Sequence, residues 1–216
     1  TVDFGSKVVT VRPNNIKSKF FLGDIQAIMM GAVDRFHGII LPKTNEPEDI
    51  IYLSSLLDSL ELEAGWTTKV QIEALIETPL AVVNAYDIAK SSERMVGLIF
   101  GIADFTAAMG VSEMVKSQNK NFHYAKQATA VAAKAAGLHA IDNAYLDLIR
   151  RDTSDEEAEV IRGDIRSKNE EAAALGMDGT WVIHPQQAEI ANDVYSPDDA
   201  EVAAAKRAVD IYHELG

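Results

Sequence analysis

Six short apolar runs, each closed by a polar or charged residue and followed by an amphipathic stretch, limit what this chain can fold into. They are residues 7–12 (KVVTVR), 38–41 (GIIL), 69–76 (KVQIEALI), 95–100 (MVGLIF), 139–141 (HAI) and 180–183 (TWVI). Brief and β-branched, they read as buried strands of a parallel sheet. The stretches between them carry helix signals. Pro47 lies in the first turn of one helix, with Thr44 or Asn45 as its cap, Ile50, Leu53, Leu57 and Leu60 on its apolar face and Gly65 as its stop. Ser154 and Glu157 have the spacing of a capping box, opening a helix that ends at Gly176. Asn121 opens an Ala-rich helix that stops at Gly137. Ser196-Pro197 opens the last helix, with Val202, Ala205, Val209 and Tyr212 at helical spacing. Residues 104–121 have no clear pattern and read as a candidate active-site loop.

Strand–helix alternation means a parallel sheet with helices outside, closed into a barrel or open and doubly wound. No Gly-x-Gly-x-x-Gly and no phosphate-loop lysine follows any run, which weakens the nucleotide-binding open sheet. A barrel takes eight units and about 250 residues. With 216 residues and six units, the chain is expected to be one domain, 1–216, of a TIM (β/α)8-type barrel that lacks two units at its N-terminal side. It starts Thr1-Val2-Asp3, with no initiator Met, basic n-region or apolar h-region, so no signal peptide is read there.

Composition removes several function classes. The chain has no Cys, so disulfides, thiolate metal sites and a Cys nucleophile are excluded. The formal net charge of −13 repels nucleic acid and anionic membranes, and the apolar runs fall far short of the ~20 residues that span a bilayer. A cytoplasmic protein with a small-molecule partner is expected, and an anionic substrate then needs a local basic site.

The residues at the run ends are Arg12, Lys43, Glu77, Asp104, Asp142 and His184. In a parallel barrel these ends share the face that carries the site. Glu77 and Asp104, on consecutive strand ends, are two oxygen donors that suit Mg²⁺ with positions left for water and substrate. Alternatively, Glu77 caps a helix starting near Pro79 and Asp104 caps its own. Arg12 offers a fork for a carboxylate, or pairs with a structural acid. Lys43 is either a Schiff-base lysine or, more in keeping with its neighbours, the partner of a site carboxylate such as Glu77. Asp142 is a site acceptor or a turn residue. His184, held extended by Pro185, has no His partner and reads as structural.

Taken in order, Val11-Arg12-Pro13-Asn14, Ile40-Leu41-Pro42-Lys43, Leu75-Ile76-Glu77-Thr78, Ile99-Phe100-Gly101-Ile102-Ala103-Asp104, Ala140-Ile141-Asp142 and Val182-Ile183-His184-Pro185-Gln186-Gln187 resemble the HpcH/HpaI aldolase and citrate-lyase beta-subunit superfamily. The branch resembled holds the malyl-CoA, methylmalyl-CoA and citramalyl-CoA lyases. The resemblance implies a TIM barrel, Mg²⁺ and a Claisen or retro-Claisen reaction on an acyl-CoA thioester or a 2-hydroxy or 2-oxo acid. It implies metal binding by Glu77 and Asp104 and a substrate-carboxylate and catalytic role for Arg12. It also implies a strand-end role for Pro42-Lys43, and acyl-thioester contacts by the turn that holds Pro185 and Gln187. Lys43 and Asp142 complete the expected catalytic set. A homo-oligomer, trimer or hexamer, is expected. The family's first two strands and C-terminal extension have no counterpart in the chain, and its usual Arg-Val-Asn or Arg-Ile-Asn is Arg12-Pro13-Asn14. Three other functions fit the residues less well: a citrate lyase beta subunit acting on a carrier-protein thioester, a non-catalytic acyl-CoA-binding barrel, and a pyruvate aldolase on free aldehydes.

Overall fold

The structure, a computed structural model, describes residues 4–111 and 122–215. Its elements run β1 (Thr10–Val11), α1 (Phe21–Gly31), β2 (Gly38–Leu41), α2 (Pro47–Ala64), β3 (Gln71–Ile76), α3 (Pro79–Val83), α4 (Ala85–Ala89) and β4 (Met95–Phe100). They continue with α5 (Ile102–Ala108), α6 (His123–Ala135), β5 (His139–Asp142), α7 (Asp155–Ala174), β6 (Gly179–Thr180), α8 (Pro185–Tyr195) and α9 (Asp199–Leu215). The six strands form one parallel sheet in sequential order, β1-β2-β3-β4-β5-β6. A doubly wound sheet reverses its strand order at a switch point. Here the order never reverses, so crossovers of one hand put the helices that connect the strands on the same side.

Side chains alternate between the two faces of each strand. Ile39, Leu41, Ile72, Ala74, Ile76, Leu98, Phe100 and Ala140 enter the large core shared with the helices. Ile40, Leu75 and Ile99 form a second, smaller cluster on the opposite face, with Ile141 and Trp181 packed against it. That second face is the inside of a half-barrel. Its curl is visible at the top: the Arg12 guanidinium, just past the first strand, lies 5.9 Å from the ring centre of Trp181, just past the last.

The two outer strands are shorter than the apolar runs that produce them. Residues 7–9 stay outside β1 and the Val9 N–H donates to His37 Nδ1 instead. After Thr180 the chain turns out of the sheet. The Trp181 N–H still reaches Asp142 O, but the Ile183 N–H donates to the Gln187 side chain and Val182 and Ile183 are exposed. Helix caps differ in two places from the sequence reading. At α2 the N-cap is Glu46, and Asp49 accepts the N–H groups of both Asn45 and Glu46, while the Asn45 side chain is committed elsewhere. Ser196 closes α8, and Asp198 with Glu201 exchange the hydrogen bonds that open α9. The Ser154–Glu157 box and the left-handed stop at Gly65 form where expected. The proposed cap Asn121 and most of the proposed loop lie outside the described residues, while residues 104–108 of that loop are helical, within α5. On α9 the apolar residues at helical spacing largely face solvent, with Val209 at 54% and Tyr212 at 76% exposure. No helix among the described residues is long and apolar enough to cross a membrane.

The strand starts are held together by Arg94. Its buried guanidinium donates to both Glu61 oxygens at 2.6 Å, to Val70 O at 2.7 Å and to Asp58 at 2.5 Å, tying α2 to the starts of β3 and β4. Glu61 also accepts the Val70 N–H at 2.7 Å. Removing one partner of a buried ion pair leaves the other unpaired, typically at about 3–5 kcal/mol. Arg94→Ala should therefore lower unfolding stability by that order in denaturant melts. Because Arg94 sits at the end opposite Glu77, activity per folded molecule should not change.

Candidate active site

Glu77 follows β3 on the inner face, continuing the alternation of Glu73 and Leu75. It is 4% exposed. Its Oε1 accepts the Lys43 N–H at 2.8 Å. The carboxylate lies flat against Gly101, where an added Cβ would stand 3.1 Å from Glu77 Oε2 and Cβ. A side chain at 101 would press on it, so that the carboxylate would have to give by a few tenths of an ångström. The cap of α3 is Thr78, whose hydroxyl accepts the Ala81 N–H, so Glu77 is not spent as a helix cap.

Asp104 stands in the first turn of α5, whose N-cap is Gly101, and makes no capping bond. Its Oδ1 pairs with Lys43 Nζ at 2.8 Å. Lys43 thus touches both acids, one with its amide and one with its ammonium. By strand parity its side chain would point into the helix layer. It escapes because its backbone is left-handed, at φ 53°, a conformation few non-glycine residues adopt and one that concentrates at functional sites.

The electrostatics of the pair are asymmetric. Burial pushes the Glu77 carboxyl up to about 7, against the pull of the Lys43 N–H, and the adjacent Asp104 carboxylate adds to the rise. The Lys43 ammonium holds Asp104 below the usual carboxylate range, helped by the bond to Glu77 and the charge of Arg12. Two carboxylates compete for one proton in a half-buried corner, and Lys43 serves mainly one of them. That is a site with an unmet demand for positive charge and with hard oxygen donors, and it fits a small divalent cation. Among the described residues no group of three or more His, Asp or Glu side chains could hold a metal. A cation here would take two protein side chains and draw its other ligands from solvent and substrate.

Arg12 has inner-face parity, since Val9 and Val11 pack on the helix side. It is exposed at the mouth, where its plane can meet an anion, with the Trp181 ring beneath it. Trp181 was counted in the sequence only as part of an apolar run. An aromatic one residue past a strand end is the signal that could have marked it.

The structure does not bring Asp142 to this corner. It follows Ala140 on the outer face and is fully buried between helices. Its Oδ2 pairs with Lys126 Nζ of α6 at 3.1 Å and Lys168 Nζ of α7 at 2.9 Å. Lys168 also donates to Asn143 O and, at 2.8 Å, to Thr180 Oγ1, binding the ends of β5 and β6 together. Gln187 is likewise buried and occupied. Its amide donates to Tyr145 O at 2.9 Å and its carbonyl accepts the Ile183 N–H at 2.9 Å. Pro185 is the first residue of α8, which His184 caps by accepting the Gln186 N–H at its Nδ1. These residues shape the rim and do not converge on Glu77 and Asp104.

The profile of the HpcH/HpaI aldolase/citrate lyase family matches residues 2–185. The chain belongs to this family. It is 30% identical over 221 residues to an L-malyl-CoA/beta-methylmalyl-CoA lyase of Cereibacter sphaeroides, covering 95% of this chain and 66% of that protein. It is 32% identical over 210 residues to the citrate lyase subunit beta of Leuconostoc mesenteroides, covering 97% and 64% respectively. The chain therefore spans just under two thirds of the length of these relatives. Two solved structures share the fold. A citrate lyase from Burkholderia xenovorans has a TM-score of 0.82 at 21% identity, covering 99% of this chain and 65% of that one. The citrate lyase beta subunit of Mycobacterium tuberculosis, solved with oxaloacetate and magnesium, has a TM-score of 0.67 at 24% identity, covering 87% and 73%.

In this HpcH/HpaI-family chain the Asp142 cluster gives a pH test of its own. Burial lowers the Lys168 ammonium to about 8, assisted by Lys126 and opposed by Asp142. Tyr195 also lies within the field of Asp142. From about pH 8 up to the ordinary lysine value the unfolded chain holds a proton on Lys168 that the folded chain has lost. The unfolded state then binds more protons, so this residue makes stability rise with pH across that window. In Lys168→Met, Asp142 keeps Lys126 as a one-to-one partner. Stability measured by denaturant melts at pH 8 to 10 should show the wild type gaining on the variant as pH rises. A constant difference would remove Lys168 as the titrating group.

Proposed function

We propose that the protein is a Mg²⁺-dependent carbon–carbon lyase or aldolase. It would cleave or form the bond next to the carbinol carbon of a 2-hydroxy-acid acyl-CoA thioester of the malyl-CoA or citramalyl-CoA kind. The observation that carries this reading is the corner in which Lys43 bonds both Glu77 and Asp104, with Arg12 free at the same mouth. The names of the relatives support the thioester and the lyase chemistry. The sequential parallel order supports placing the six strands as consecutive strands of an eight-stranded barrel whose first two units lie outside this chain. The open edges of β1 and β6 and the bare apolar stripe of α9 favour a homo-oligomer.

Glu77 and Asp104 would hold the cation. Mg²⁺, when bound, supplies Lewis acidity toward the hydroxyl or keto oxygen of the acid. Arg12 would grip the carboxylate with two parallel hydrogen bonds, its orientation supported by the Trp181 face. Lys43 would keep Asp104 ionised and aimed. In the cleavage direction the hydroxyl proton would pass to a base such as solvent water, the carbinol C–O would become the carbonyl of a 2-oxo acid, and the pair of the broken carbon–carbon bond would pass into the thioester enolate, which then takes up a proton. The thioester is what makes that enolate accessible.

The direct test is turnover of malyl-, methylmalyl- and citramalyl-CoA with Mg²⁺ or with EDTA. Activity on a carrier-protein thioester and none on CoA esters would move the protein to the citrate lyase beta role. Two variant sets examine the parts. Mg²⁺ should raise the melting temperature of the wild type by mass action, and Glu77→Gln and Asp104→Asn should each lose that increment while staying folded. An unchanged Mg²⁺ response in both would end the metal assignment. Arg12→Lys should fold and bind Mg²⁺ normally but lose turnover equivalent to about 3 kcal/mol, the usual weight of one such electrostatic contact. A destabilised but fully active Arg12→Lys protein would make Arg12 a structural ion-pair partner.

A further inference from the structure

Asn45 sits two residues beyond Lys43 and does not cap the helix that follows. Its backbone and side chain are instead committed to the two loops that carry the acids' partners. Its Nδ2 donates to Lys43 O at 3.0 Å, and its Oδ1 accepts the Thr78 hydroxyl proton. Its backbone O accepts from Asn84 Nδ2 at 2.9 Å, and its N–H donates to Asp49 Oδ2 at 2.9 Å. Thr78 is the residue after Glu77, and its hydroxyl also accepts the Ala81 N–H at 3.1 Å. A continuous chain of hydrogen bonds therefore runs from the first turn of α3 through Thr78 and Asn45 to the carbonyl of Lys43. The amide of Lys43 then returns to Glu77.

This arrangement addresses a specific difficulty. Lys43 must stay left-handed for its N–H to meet Glu77 and its ammonium to meet Asp104, and a lysine has no intrinsic preference for that backbone. Thr44 supports the turn by donating its hydroxyl to Leu41 O at 3.0 Å, which fixes the residue after Lys43 but not its carbonyl. The carbonyl is fixed by Asn45. Asn45 also ties that carbonyl to the residue next to Glu77, so the ends of β2 and β3 keep one spacing.

We infer that Asn45, with Thr78, is a positioning residue that holds the left-handed Lys43 against Glu77 and so sets the affinity of the carboxylate corner for a divalent cation. This inference rests on the reading of Glu77 and Asp104 as the Mg²⁺ ligands. A group hydrogen-bonded directly to a metal ligand typically contributes 10–100-fold in metal affinity; here that group is the Lys43 amide, and Asn45 acts through it.

The test uses Mg²⁺ titration by calorimetry together with hydrogen exchange of the metal-free protein. Asn45→Ala should weaken Mg²⁺ binding severalfold, up to roughly 10-fold, and should speed exchange of the Lys43 amide without Mg²⁺ while the α2 amides around Leu57 are unchanged. Thr78→Val should act in the same direction, and Thr78→Ser, which keeps the hydroxyl, should restore both readings. Asn45→Asp separates positioning from charge. It adds an acid near the cation and keeps an acceptor for Thr78, but loses the donor to Lys43 O. Positioning requires weaker Mg²⁺ binding in this variant, and tighter binding would overturn the inference. A wild type that binds no Mg²⁺ would fail the metal reading itself, and the inference with it. A wild type that binds Mg²⁺ beside an Asn45→Ala protein of equal affinity and equal Lys43 exchange would leave the metal reading standing and remove Asn45 alone.

Discussion

The register of the parallel ladder decides which groups can meet at the mouth of this fold. Ile40 pairs with Glu73, Glu73 with Gly97 and Gly97 with His139, all on the inner face. One position further along each strand, Leu41, Ala74, Leu98 and Ala140 all face the helices. Beyond the irregularity at Ile72/Glu73, where β3 and β4 shift by one residue, a further shift of one residue would exchange the two sets. Followed to the strand ends, the same count places Glu77 inside, beside Gly101, and Asp142 outside, beside Phe100. The corner of acids and the buried lysine cluster are therefore consequences of one alternation.

Two members of the corner lie off the strands, and each needs a local device to reach it. Asp104 is carried into the first turn of α5, where the bond from the Lys43 ammonium favours its ionised form. Lys43 is turned by its left-handed backbone, which three independent contacts hold: the carbonyl by Asn45, the amide by Glu77 and the ammonium by Asp104. A conformation that costs energy persists when its surroundings over-determine it. The cost falls at the site because the geometry needed there, an amide and an ammonium of one residue reaching two acids, is unavailable to regular strand or helix.

Much of this was legible in the sequence. Four strands match their apolar runs to within two residues, and Glu77, Lys43 and Asp104 were singled out and do converge. What the sequence could not separate was Glu77 from Asp142. Both follow a buried run with a single acid, and both faces of a parallel strand are apolar, so no hydrophobic contrast reports which side an end residue takes. Gln187 was misleading for a related reason, because a polar residue in a turn looks free until its backbone partners, Tyr145 and Ile183, are placed in space. Asn45 was read as a helix cap on residue type and position. Only the neighbouring loop, thirty-three residues away in sequence, shows where its side chain goes.

The buried charges also divide according to what surrounds them. At the strand starts Arg94 has two acids and a carbonyl, and its donors are taken up by close acceptors, the buried Glu61 and Val70 O and the exposed Asp58. Behind β5 and β6 two ammonium groups share one carboxylate oxygen, while Asp142 Oδ1 has no hydrogen-bond partner. That cluster has an excess of positive charge, and burial answers by lowering the Lys168 ammonium. At the mouth the imbalance has the opposite sign: two acids, one ammonium, and a Glu77 carboxyl raised by burial. An interior can remove a mismatch of charge by releasing or taking up a proton. The mouth is open on one side, so it has a second way to do so, which is to take a cation from solution. The difference between a structural cluster and a binding corner in this fold therefore comes from access, since both are built from lysines and acids at strand ends.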